Sequence, residues 1–280
     1  MCPAIYKQSL FKRSIAVKNK SKVHLIISIA SIFAFFGIWY YLTAIRRIVP
    51  NYVMPDPLAV FQTLIKKFTT KAPDGAVLTK HILASLRVAL SGFALGTIVG
   101  IPVGILMAWS KGFERIARPI FDFLRPIPPI AWIPVMIVWL GIGTPAKAAV
   151  IFMSTCIPNV INSYSGIKHT SQVHLWVGRT FGANSFELLT KVAIPSALPE
   201  IFVGMRLALG TSLVSLVSAE MLASSNGLGY MIQIGRQYSK TDLVLAGMIM
   251  IGLLGSTLAV LLQIIERAVV KGRGGIGDRK

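Results

Sequence analysis

Charge is scarce in this chain, and acid is scarcest of all. Only 14% of the 280 residues are charged, with ten acids against 29 lysines and arginines. Soluble domains carry about 25% charged residues, so composition places the chain in the membrane class before any motif is read. Cysteine is almost missing: Cys2 and Cys156 give neither a disulfide framework nor a zinc spacing. The four histidines, His24, His81, His169 and His174, sit near no cysteine, so no metal site is expected. His24 and His81 fall at the mouths of apolar runs and read as interfacial residues. No Gly-x-x-x-x-Gly-Lys-Ser/Thr run occurs, and GRGGIG near the C-terminus lacks both the lysine and a preceding strand. The chain is therefore not expected to bind or hydrolyse ATP, to hold a cofactor, or to contain catalytic residues.

Apolar residues make up 54% of the chain, and the mean hydropathy is +0.68. A helix needs about 20 residues to cross the hydrocarbon layer. Six segments qualify, at about 23–45, 82–109, 118–141, 145–165, 197–222 and 241–268. The expected fold is all-α and polytopic, with a basic N-terminus over 1–22, a transmembrane domain over 23–268 and a basic tail over 269–280. The first segment has an apolar core longer than that of a signal peptide and no clear small-x-small exit, so it reads as a retained span. The third holds Pro126, Pro128, Pro129 and Pro134. It is expected to be kinked or partly unwound, and to lie inside the bundle. PDPLAVFQTLIKKF, between the first two spans, reads as a short amphipathic helix after Pro57.

The net charge of +19 raises nucleic acid as a partner. The basic residues, however, flank apolar runs, which suits anionic headgroups and the cytoplasmic retention of positive loops. With both termini in the cytoplasm, 17 basic residues fall on inner segments and nine on outer ones. Gly92, Gly96, Gly100 and Gly104 form a ridge of period four on the second span, where another helix can approach closely. Acids inside apolar runs are few, and Glu220 stands out, with Asp122 early in the third span. A buried carboxylate there is either structurally satisfied or part of a transport path. Arg125 and Arg206, in or beside apolar runs, either attract an anion or snorkel to headgroups. Ser154, Thr155, Asn159, Trp132 and Trp139 either line a path or pack helices.

The stretch WVGRTFGANSFELLTKVAIPSALP, Trp176 to Pro199, interrupts the apolar pattern. It reads as a short helix, a turn permitted by Gly182, and a second short helix capped by Ser185. Ile194–Pro195 is expected to end that helix, with the fifth span starting after Ser196. Gly182, Val192, Ala193, Ile194 and Pro195 resemble the cytoplasmic coupling motif of bacterial ABC importer permeases. The family's Glu-Ala-Ala would fall on Trp176, Val177 and Gly178, where this sequence departs from it. RTFGAN, SALPEIFVGMRLALG, SAEML with GLGYMI, RPIPPIAWIPVMIVWLGIG, YVMPDP and SLRVALSGFALGTIVGIPVG together resemble the subgroup importing nitrate, aliphatic sulfonates, taurine or bicarbonate.

That resemblance implies the type I ABC importer permease (MetI-like) architecture in a bacterial inner membrane. It implies a second copy of the permease, separate ABC ATPase subunits that use the ATP, and an external substrate-binding protein. Nucleic acid is not an expected partner. Coupling helices over about 171–192 would dock on the ATPase through Arg179, Phe181, Gly182, Ala183, Phe186, Val192 and Pro195. Arg125, Trp132, Asn159 and Glu220 are candidates for the pathway or its gate. The runner-up readings are an ATP-independent carrier or channel, and a membrane scaffold.

Overall fold

The computed structural model describes Ile27 and residues 30–46, 48–50 and 52–270. The whole basic N-terminus (1–22), most of the start of the first expected span and residues 271–280 of the basic tail lie outside the described residues. The chain divides into two units, one ending at Thr63 and one starting at Leu64.

In the first unit, α1 (Ala30–Ile45) is apolar but shorter than a full span. Its last turn, Tyr41–Ile45, is π-helical. The Trp39 indole donates to the Pro55 carbonyl at 3.1 Å. The amphipathic helix expected after Pro57 is present as α2 (Pro57–Lys66), which runs on into the second unit. Proline opens it where a missing amide matters least, and the Asp56 carboxylate accepts from the Ala59 amide at 2.6 Å.

The second unit is built on α3 (Leu78–Trp109), α6 (Thr144–Lys168), α8 (Ser185–Ala223) and α10 (Thr241–Val270), each long and apolar enough to cross a membrane. Between α3 and α6 lie α4 (Lys111–Leu124) and α5 (Ile133–Leu140), with a 3-10 turn at Pro129–Trp132 leading into α5. The pair bends by 93° and would make a fifth crossing if counted as one span. The kink expected from the prolines is present. The expected burial is not: Ala117, Ile133 and Met136 pack inward, but Phe123, Val138, Trp139 and Ile142 stay exposed. The pair presents only one face to the other helices, so it flanks the bundle rather than filling it.

The glycine ridge decides how α3 meets α6. A Cβ at Gly92 would strike the Ile151 side chain, one at Gly96 the Thr155 hydroxyl, and one at Gly104 the Val160 carbonyl and Ser163. Only the missing side chains allow this approach, as the spacing predicts. Ile167, Ala193 and Ala197 cluster with Trp109 at one end of the bundle, here called the Trp109 end. Ile133, Ala146 and Ala219 cluster at the other, the Ala223 end. Short helices α7 (Gln172–Thr180) and α9 (Leu228–Gln237) precede and follow α8.

Candidate functional site

At the Trp109 end, α7 closes on a glycine turn. Gly182 has φ +80°, in the left-handed region that glycine enters freely. Its amide donates to the Arg179 carbonyl at 2.9 Å, and the Ala183 amide to the Gly178 carbonyl at 3.1 Å. This pair of bonds satisfies the carbonyls at a helix C-terminus in the Schellman pattern. Two residues on, the next helix starts with a reciprocal cap. The Asn184 side chain accepts from the Glu187 amide at 2.9 Å, and the Glu187 carboxylate accepts from the Asn184 amide at 3.1 Å. Asn184, not Ser185, is therefore the cap, because its side chain reaches the third amide of the helix. Ser185 instead accepts from the Trp109 indole at 3.2 Å, which ties the segment to the end of α3.

The second short helix does not stop at Pro195. It passes through a π-helical stretch, Leu188–Ala193, directly into the long apolar part of α8. The Ile194 amide donates five residues back, to Leu189. The widened turn absorbs the missing amide and the ring of Pro195, which a regular helix interior would not. The expected break before Ser196 is thus a continuous, rigid connection. Phe181 is 86% exposed, Phe186 72% and Trp176 60%, with Arg179 also exposed. Val192 and Pro195 are half-buried behind them. Two capped helix ends therefore hold an apolar knob in the open.

The Ala223 end is the opposite case. Glu220 is fully buried. Its carboxylate accepts from the Ser85 hydroxyl at 2.8 and 2.9 Å and from the Gly229 amide at 2.9 Å. Ser85 in turn accepts from the Leu228 amide at 2.8 Å. The Gly227 amide donates to Nδ1 of His81 at 3.0 Å, so the ring proton sits on Nε2, which faces Asp74 Oδ2 at 3.1 Å. Asp74 also pairs with Lys67, whose ammonium donates to the carbonyl of Ala76 at 2.7 Å. Burial alone would raise the Asp74 pKa, but hydrogen bonds from His81 and Lys67 outweigh it and hold the group below the usual carboxylate range. His81 is therefore no interfacial residue: it is buried and bridges two loops.

Of the candidate path residues, Arg125 and Trp132 come together. They line a groove of about 370 Å³ with Ser154, Asn162 and Thr211 at the α4–α5 bend. Asn159 lies behind it, fully buried between α3 and α6, and donates to Thr97 at 3.2 Å. Thr155 bonds to carbonyls of α3 and its own helix, so it packs rather than lines. Arg206 is paired with Glu266. Asp122 is exposed beside Arg118, and Trp139 is 68% exposed.

Residues 100–274 match the family described as binding-protein-dependent transport system inner membrane component. This chain belongs to that family. A taurine transport system permease protein of Escherichia coli (strain K12) is 34% identical over 254 residues, covering 89% of this chain and 90% of the relative. A bicarbonate transport system permease protein of Synechococcus elongatus is 31% identical over 225 residues, covering 78% and 81%. An inward-facing structure of the MetNI methionine ABC transporter shares the fold, with a TM-score of 0.57 at 21% identity over 69% of this chain and 95% of that one. The protein is thus a multi-pass permease component of an ABC-type transport system. The family match takes in the α7 turn and Glu220 but starts after Lys67, Asp74, His81 and Ser85. Ser85 escaped the sequence reading and His81 was taken for an interfacial residue because partners of each lie far along the chain: Ser85 and Glu220 are 135 residues apart, His81 and Gly227 146.

Proposed function

We propose that this chain is the membrane-spanning permease subunit of an ATP-driven importer for a small anion or organic anion, such as a sulfonate, taurine, nitrate or bicarbonate. An external binding protein delivers the cargo, two copies of the permease form the path, and separate ABC ATPase subunits dock on the Trp109 end. That end faces the cytoplasm with both termini, in keeping with the excess of lysine and arginine on the assigned inner segments. The stretch before α2 supplies a sixth crossing. Arg125 and Trp132 belong to the path, while Asn159 and Glu220 act from behind it by fixing the helices that line it.

The observation that carries this reading is the knob of Phe181 and Phe186, exposed on a doubly capped turn that continues without a break into α8. A rigid apolar anchor of this kind suits a groove on a protein partner, and its direct join to a span gives the partner a lever. Trp176, where the family has an acid, adds apolar contact instead of charge. Purification from native membrane, followed by identification of the co-purifying subunits, tests the reading. An ATPase and a secreted binding protein are expected. Gly182→Asp is expected to stay in the membrane but lose the ATPase, because it strains the left-handed turn by about 1 kcal/mol and sets a charge against the knob. Transport by this chain alone in lipid vesicles would overturn the proposal in favour of an independent carrier.

A further inference from the structure

A second cleft, of about 500 Å³, opens at the Ala223 end between the starts of α3 and α6 and the turn after α8. It is more polar than the groove at Arg125, and two cations line it, Arg87 and Lys147, with Thr144, Ser224, Ser225 and Asn226. Arg87 is exposed to the cleft and has no ion pair with any described residue. Lys147 is only 8% exposed, and its ammonium makes one hydrogen bond, to the Ser224 hydroxyl at 2.9 Å. Ser224 is itself fixed by donating to the Asn226 carbonyl. An ammonium has three donors, so two of those on Lys147 lack a protein acceptor.

Burying an ammonium is unfavourable without a counter-charge and full hydrogen bonding. Glu220 lies near enough to act on Lys147 electrostatically. Its oxygens, however, are already engaged by Ser85 and the Gly229 amide, and it makes no direct bond to the lysine. One buried carboxylate against two cations leaves the cleft with a net positive charge. The unused donors, the unpaired guanidinium and the hydroxyls around them are the complement of an oxygen-rich anion. Ionisable groups held inside a membrane domain without a protein partner mark ligand sites by default.

We propose that the Arg87–Lys147 cleft is an oxyanion site that receives the free cargo anion, a sulfonate or a similar small oxyanion, at the end opposite the ATPase contact. This assignment rests on the importer reading above. Arg87 supplies an exposed, unpaired charge and Lys147 a buried one held by Ser224. The cleft therefore draws an anion in from outside and holds it before it moves on to the groove at the α4–α5 bend. An anionic lipid headgroup offers the same chemistry and is the competing occupant.

The test uses the purified permease–ATPase complex in phosphatidylcholine nanodiscs, without the binding protein, and radiolabelled methanesulfonate in equilibrium dialysis. Saturable binding is expected, weakened about tenfold in Arg87→Gln by loss of one charge contact, restored in large part by Arg87→Lys, and competed by nitrate or bicarbonate. Arg87 is exposed and unpaired, so Arg87→Gln should fold and keep its ATPase. Lys147→Met is the second variant and should weaken binding further. No saturable binding by the wild type, or equal binding by Arg87→Gln, overturns the site. So does displacement of methanesulfonate by added phosphatidylglycerol together with lower phosphatidylglycerol retention in Arg87→Gln, which would make the occupant a lipid. Failure of the wild type to retain an ATPase is read separately by co-purification and strikes the importer reading instead.

Discussion

The Ala223 end of the helix bundle is closed by buried polar bonds, whereas the Trp109 end is held by helix caps and exposed ion pairs. At the first, a carboxylate, a serine, a histidine and three backbone amides satisfy one another out of water. At the second, the same kinds of bond lie at the surface and leave the aromatic side chains outside. Buried bonds are costly to break because each orphaned group loses its hydration as well. Surface bonds can be exchanged for water at little loss. One end is therefore closed around its buried bonds, and the other holds its aromatic side chains in the open, as the proposed docking requires.

The largest effect should come from breaking the closed end. Glu220→Ala orphans the Gly229 amide and the Ser85 hydroxyl together, and a loss of about 3 kcal/mol is expected. Gly227→Ala should be similarly damaging, because its Cβ would fall on the Glu220 carboxylate and its φ of +129° suits only glycine. Glu220→Gln keeps an acceptor and should lose less. Thermal unfolding in detergent gives the order. An unchanged midpoint for Glu220→Ala would remove the distinction between the two ends.

At the open end the order of readouts reverses. Phe181→Ala removes an exposed ring that no cluster of the bundle contains, so the melting midpoint should not move. Affinity for the ATPase should fall by about 2 kcal/mol or more, as for a buried aromatic anchor at an interface. A fall in stability without a change in association would show that the ring serves the fold. Titration of the purified ATPase against the permease in nanodiscs measures this.

Asp74 sharpens the comparison through pH. Its pKa in the folded protein lies below its ordinary value. The stabilisation it gives is therefore complete above the unfolded pKa, near 3.9, and is lost as pH falls through the folded pKa. Wild-type melting should drop through this acid range, and Asp74→Asn should lack that part of the slope. A parallel slope in the variant would mean that the Lys67–Asp74–His81 chain does not couple folding to protons.

Much of this contrast is legible in the sequence where the signal is local. Four glycines at period four announce the α3–α6 contact, and four prolines in one apolar run announce the 93° bend. Asn184 and Glu187 spell a capping box that Ser185 obscured. Pro195 misled because proline alone signals a stop, whereas the π-helical stretch before it is a response of the backbone that no residue type encodes. The closed end is legible only in part: Glu220 stands out as an acid in an apolar run, but Ser85 and His81 meet it and the turn after α8 only when α3 packs beside α8. The Arg87–Lys147 cleft escaped for the same reason. Each residue alone is a stray charge near a membrane, and only the fold sets them on one cavity.

The smallest effect is expected at Lys191, and it bounds how little the open end depends on charge. Lys191 meets Glu187 one turn back at 2.8 Å, yet its side chain is 71% exposed. Exposed pairs of this kind contribute little to stability and are screened by salt. Lys191→Ala should therefore barely shift the melting midpoint at low salt and not at all at high salt. Asn184→Ala, which removes the cap on the same turn, should lose about 1 kcal/mol at either salt concentration. If the two variants were equally destabilising, the contact segment would be held by its charges rather than by its caps. Its shape would then depend on ionic strength, which would count against the fixed anchor proposed for the ATPase contact.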